Sequence, residues 1–203
     1  MGIQHVRFLP EGIAFDRYPY PGARVHPRGV VRWSEVLEVD PKATPPELRI
    51  VGETLFVSAE LREEFGGAAK AHGVPVVRRT DVWGMLLDPF LDTEFDEDVQ
   101  EHTLAALEEN GIGRAEAERI RGRVEWAMLH HNAMLWEWVH LGLWDLLEAH
   151  RNVWVRLRLG LTPRRYRALY AWAMEIAGRG RVIPDYNGAD AEPPAGSDQA
   201  VVE

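Results

Sequence analysis

A chain of 203 residues, 46% hydrophobic and 27% charged, has an ordinary globular composition and enough length for one full core or two small lobes. It contains no cysteine, which excludes disulfides, thiolate metal ligands and cysteine nucleophiles. The formal charge of −9 opposes polyanions at long range, and no run approaches the ~20 apolar residues of a membrane span, because Glu137, His140 and Asp145 interrupt the only candidate. The first residues lack the basic start and apolar stretch of a signal peptide, so a soluble cytoplasmic protein with no membrane partner is expected.

The first 80 residues read as short strands separated by turn signals. Candidate strands are 5–9, 12–16 and 29–33, the last running on into 34–39, with a Pro-rich loop at Tyr18-Pro19-Tyr20-Pro21-Gly22. Residues 47–51 and 54–57 suggest a hairpin around a Gly52-Glu53 turn. Ser58 is suited to cap a helix over 59–72, with Leu61, Phe65, Ala68 and Ala69 on one stripe and Gly73 as its stop. Residues 74–77 suggest a further strand, at an edge or pairing only through its later residues because Pro75 has no N–H to donate. The expected unit is one small antiparallel sheet with a covering helix. Its strands-then-helix order resembles the plan of pleckstrin-homology-like domains, a likeness of fold plan from which no residue roles follow.

Residues 81–95 are too apolar around Val82-Trp83-Gly84-Met85-Leu86-Leu87 for a solvated linker and are expected in an interface. A helix from about 96 to Asn110 begins with Asp96, Glu97 and Asp98, where the helix dipole favours negative charge. The next helix starts near Gly113 and leads into the Trp-rich segment 125–150, which carries Trp126, Trp136, Trp138 and Trp144 with His130, His131, His140 and His150 and no Lys or Arg. That segment reads as the spine of a helical lobe. Unbroken from Arg114 it would reach roughly 55 Å, so a break is expected at His131-Asn132, with Asn132 as a cap. Alternation over 153–159 has a strand period and suggests an extended arm, and Thr162-Pro163 starts a last helix over 164–178 with Leu169, Trp172, Ala173 and Ile176 inward. The fold class is therefore α+β: a β-rich lobe at 1–80, an apolar junction at 81–95, an all-helical lobe around the Trp-rich helix at 96–180, and a disordered tail at 181–203.

Charge is segregated along the chain. Residues 81–113 hold ten acids and no Lys or Arg, whereas 151–181 hold eight arginines against Glu175 alone. The simpler reading is that the two segments pack side by side and neutralise each other. The other is an anion-binding face, formed by Arg156, Arg158, Arg164, Arg165 and Arg167, that could take phosphate or nucleic acid beside Trp154 and Tyr166.

Two patterns could carry metal chemistry. Glu137-Trp138-Val139-His140 matches Glu-x-x-His, the spacing used in di-iron helical bundles, and Glu101 and His130 are the further ligands that neighbouring helices could supply, with a divalent metal as the implied cofactor. The competing reading makes His140 a core imidazole bonded to a carboxylate, with no cofactor. Asp92-Thr93-Glu94, His131-Asn132-Ala133 and the His140 to Asp145 spacing resemble motifs of two-metal exonucleases, but the helical pattern between them lacks that family's strands. No Gly-x-Ser-x-Gly elbow or phosphate loop is present. The expected function is a non-catalytic binding or protein-interaction role, with a partner protein or small ligand; the alternatives are a Glu-x-x-His metalloenzyme and an anion or nucleic-acid binder.

Overall fold

The computed structural model describes residues 2–91, 97–135 and 140–183. The chain is α+β, with two antiparallel three-stranded sheets followed by helices. The first sheet is a meander of β1 (Val6–Leu9), β2 (Gly12–Phe15) and β3 (Gly29–Arg32), in which Ile13 lies opposite both Phe8 and Val31. The second is a meander of β4 (Glu38–Asp40), β5 (Glu47–Ile50) and β6 (Glu53–Phe56). The single sheet expected from the strand pattern is thus divided. After β3 the chain leaves the sheet in a 3-10 turn at Trp33–Glu35, where the Glu35 carboxylate accepts the Arg32 N–H at 3.0 Å. The hairpin forms one residue earlier than expected: Ile50 pairs with Glu53, so Val51 and Gly52 make the turn, and Gly52 takes φ +75° without the steric cost of a Cβ. Residues 74–77 contribute only the parallel bridge of Val76 to Val39, and Pro75 offers its carbonyl to the Val39 N–H at 2.9 Å.

Ser58 caps as expected, its hydroxyl accepting from the Glu60 N–H at 3.4 Å, and a 3-10 turn leads into α1 (Arg62–Ala71). Helix α1 buries Phe65, which stacks on Phe8 with ring centroids 5.8 Å apart, and packs on β4 through its buried side. The further helices are α2 (Val82–Leu87), α3 (Glu97–Glu109), α4 (Arg114–Leu135), α5 (Leu143–Arg151), α6 (Val153–Arg158) and α7 (Pro163–Ala177), and after α7 the start of the expected tail is instead held by an antiparallel bridge of Val182 to Arg79. Helix α4 runs through His131-Asn132 without a break, because the Asn132 amide donates to the Phe90 carbonyl at 2.9 Å instead of capping a new helix. The interruption comes later, ahead of Gly142, whose N–H is taken by Asp145 Oδ2 at 2.9 Å at the start of α5. The extended arm predicted at 153–159 is helix α6: Asn152 caps it through the Trp154 N–H at 2.9 Å, and only Val155 is buried, so the alternation had no sheet to face. Helix α7 starts where predicted, at Thr162-Pro163. Most of the predicted tail, from residue 184 on, lies outside the described residues.

One hydrophobic core runs from the sheets into the helices. Trp144 sets its ring edge against Tyr20 and Phe56, at 5.6 and 5.3 Å between centroids. Two buried phenols cross between strand and helix segments, Tyr20 donating to Glu148 Oε1 at 2.8 Å and Tyr170 to Glu53 Oε1 at 2.6 Å. The apolar 82–87 segment is buried through Val82, Trp83, Leu86 and Leu87, and the Trp83 indole donates to the Ala173 carbonyl at 2.9 Å. Arg121 of α4 closes the far end of α2 by donating to the carbonyls of Leu86 and Met85, at 3.1 and 3.2 Å. Among the described residues no helix is long and apolar enough to cross a membrane.

Candidate functional site

Strand alternation puts Glu38 and Asp40 on one face of β4 and Glu47 and Arg49 on the same face of β5, with Val39, Leu48 and Ile50 turned into the core. The register then sets Glu38 opposite Arg49, a favourable pair, and Asp40 opposite Glu47, two like charges. These side chains line a cleft of about 260 Å³ whose other walls are the 42–44 connection, residues 78–83, the His140 to Trp144 stretch and Ala177 at the end of α7.

Its charges are arranged in two groups. On one side Glu38 ion-pairs with Arg79, a second contact being Arg79 Nη2 to Glu38 Oε2 at 3.0 Å, and lies 3.7 Å from Arg49 Nε. The two arginines also donate to backbone carbonyls at and just past the C-terminal end of α7, Arg49 to Ala177 at 3.1 Å and Arg79 to Gly180 at 2.6 Å. Two guanidinium groups therefore share one carboxylate. The adjacent carboxyl does not supply the missing charge: burial pushes the Glu47 pKa up to about 8, and the neighbouring Asp81 and Asp40 charges add to the effect against the pull of Arg49. Asp40 is also raised by burial, and its Oδ1 accepts from the Lys42 and Ala43 N–H groups at 2.9 and 3.1 Å.

On the other side Asp81 uses both oxygens. Oδ1 caps α2 through the Gly84 N–H at 2.8 Å, and Oδ2 meets His140 Nε2 at 2.8 Å. This bond raises the His140 pKa above 6.5, with burial opposing it. The pair comes close to the helix because residue 84 has no side chain: a Cβ there would lie 2.7 Å from His140 Cε1 and 2.8 Å from Asp81 Oδ2. Gly84→Ala should therefore displace the imidazole while the fold survives, since alanine itself gains up to about 1 kcal/mol in a helix interior. Titration of the His140 ring protons by NMR checks this, with a lower pKa expected in the variant; an unchanged value would show that the bond does not depend on Gly84.

The described residues singled out as metal ligands have separate surroundings. His140 is hydrogen-bonded to a carboxylate, as its core reading required, but it lies outside any helix and sits at the cleft with 46% of its side chain exposed. His130 stacks on Trp126 one turn back, at 5.4 Å, with Nε2 buried and unpartnered, while Glu101 is exposed on α3. Glu137 lies outside the described residues, as do Asp92, Thr93 and Glu94 of the exonuclease-like pattern. Among the described residues no three His, Asp or Glu side chains are grouped to hold a metal. The five arginines Arg156, Arg158, Arg164, Arg165 and Arg167 are exposed on α6 and the first turns of α7, and among the described residues none has a carboxylate within 4 Å. The acidic and basic segments do touch, α2 lying on α7 and the Arg181 N–H donating to Asn110 Oδ1 at 2.8 Å, but among the described residues no acid pairs with these five arginines; the acidic helix α3 packs on α4 and α2, and Arg179 pairs with Glu116 of α4 at 2.8 Å. Sequence reading passed over Glu38, Glu47, Arg49, Arg79 and Asp81, although the alternation of charge with Val39, Leu48 and Ile50 was the signal that could have found the strand members. Compared with known proteins, the chain matches no family model, no curated protein and no solved structure.

Proposed function

We propose that the protein is a cytoplasmic binding protein that takes a small polar molecule carrying a carboxylate or phosphate group into the cleft between β4–β5 and the helices. The supporting observation is the local charge balance. Arg49, Arg79, Arg78 and Lys42 face Glu38, Asp40 and Asp81 as formal charges, with Glu47 protonated at neutral pH, so the cleft carries an excess of positive charge inside an acidic protein. His140 adds to that excess when protonated, and Trp83, Leu143 and Trp144 give the ligand an apolar wall. Such a mixture, a few fixed polar groups against an apolar surface, is what orients a small ligand. The lack of cysteine fits a reducing compartment.

The test is titration of the full chain with inorganic phosphate and, separately, citrate, followed through the His140 ring resonances. Saturable shifts are expected, with affinity weakened about tenfold or more in Arg49→Leu, since a charged hydrogen bond contributes roughly 1.5–3 kcal/mol. Arg79 still neutralises Glu38 in that variant, so the fold should hold. No saturable shift with either anion, or one unaltered in Arg49→Leu, would refute the proposal.

A further inference from the structure

The arginine-rich face carries apolar side chains as well. On α6 Val153, Trp154 and Leu157 are 61%, 66% and 70% exposed, and helical spacing sets Arg156 and Arg158 on either side of them. The Arg158 guanidinium lies 5.6 Å from the centre of the Trp126 ring, which joins this face to exposed Trp126 and Leu129 of α4. Arg164, Arg165 and Arg167 follow in the first turns of α7, where the helix dipole is itself positive and side-chain cations are disfavoured. Indole, aliphatic and guanidinium groups in one patch are the composition of an interface core rather than of a solvated helix.

A complementary face exists on the same chain. Glu101, Ala105 and Glu108 fall on one side of α3, next to Glu109; all are exposed, and among the described residues the three glutamates form no ion pair, while Val99 on the same helix is 52% exposed. Among the described residues no ion pair joins the two faces within the chain. We propose that they meet between copies: the Arg and Trp face of α6 and α7 in one molecule docks on the acidic face of α3 in another. Charge complementarity selects this occupant, because two arginine faces repel each other and an acidic partner surface is carried by every copy. A single contact between unlike faces is head-to-tail, so a dimer held by one such contact retains one free face of each kind and can add further copies.

Sedimentation velocity of the full chain tests this. Reversible, concentration-dependent association is expected in about 50 mM NaCl, weakened about tenfold in about 500 mM. Arg156→Glu with Arg158→Glu, and separately Glu101→Lys with Glu108→Lys, should each give folded monomers, because all four positions are exposed. Mixed in equal amounts, the two variants should form dimers and stop there, since each supplies the face the other lacks. A wild type monomeric at low salt and high concentration overturns the proposal, as does a mixture that stays monomeric. Association that survives both charge variants and is lost only in Trp154→Ala would make the contact apolar and symmetric, which also overturns it. So would a monomer whose arginine face instead binds a single-stranded oligonucleotide, with affinity lost in the arginine variant.

Discussion

Trp83→Ala should cost about 3–5 kcal/mol of folding stability, the range for removing a fully buried indole whose cavity cannot close. The residue is 1% exposed, packs its edge on Trp172 at 5.5 Å between centroids, and donates to the Ala173 carbonyl at 2.9 Å. Its loss opens α2 away from α7 and strips one wall of the cleft. For a chain of this size the melting temperature should fall on the order of 10 °C. Trp83→Phe should separate the contributions, keeping a ring contact but losing the indole's hydrogen bond to the Ala173 carbonyl, at about 0.5–1.5 kcal/mol. Trp154→Ala is the control: its side chain is 66% exposed, so the change should fall within about 0.5 kcal/mol. Urea denaturation of the three variants measures all of this. A Trp83→Ala cost no larger than that of Trp154→Ala would mean that α2 is not part of the cooperative core.

The contrast between those tryptophans also shows what could be read from the sequence. The burial of 82–87 was legible because five apolar residues around Gly84 leave no solvent-facing stripe, and the class was legible because turn residues punctuate the first 60 residues at strand spacing. Helix starts at Ser58 and Thr162 followed from local capping chemistry, which needs no tertiary information. The failures have different causes. Asn132 has the chemistry of a cap, but its partner is the carbonyl of Phe90, 42 residues away, and nothing local announces that contact. At 153–159 the period-two pattern resembled a strand, yet with only Val155 buried no face of α6 is selected by packing, and the Asn152 cap decides the conformation. Within the candidate site, the alternation of Glu38 to Asp40 and Glu47 to Arg49 was visible residue by residue. That Asp40 would stand opposite Glu47 depended on a hairpin register, and that Asp81 would reach His140 depended on the packing of α2 beside the chain entering α5.

Glu47 makes that cross-strand conflict measurable. Its carboxyl has a pKa near 4.5 when unfolded and about 8 when folded, so between these values the folded protein holds a proton that the unfolded chain has released. Stability must then fall as pH rises through this window, and the loss is complete above pH 8, where the folded state carries the buried charge. The size is on the order of 3 kcal/mol, allowing for partial contact with water. His140 acts in the same direction, its bond to Asp81 being stabilising at low pH and lost as the imidazole deprotonates above its raised pKa. His131 and His150, depressed by burial, act oppositely and remove stability as pH falls below about 6.5. Glu47→Gln isolates the one contribution: the difference in unfolding free energy between variant and wild type should be small at pH 5, grow through pH 6 and 7, and level off in favour of the variant above pH 8. The same proton governs the cleft. An anion bound beside Arg49 favours neutral Glu47, so phosphate affinity should drop as pH passes 8 in the wild type and change less in Glu47→Gln. Parallel stability curves for the two proteins from pH 5 to 9 would show that Glu47 is ionised throughout, and the excess positive charge of the cleft would then be lost with it.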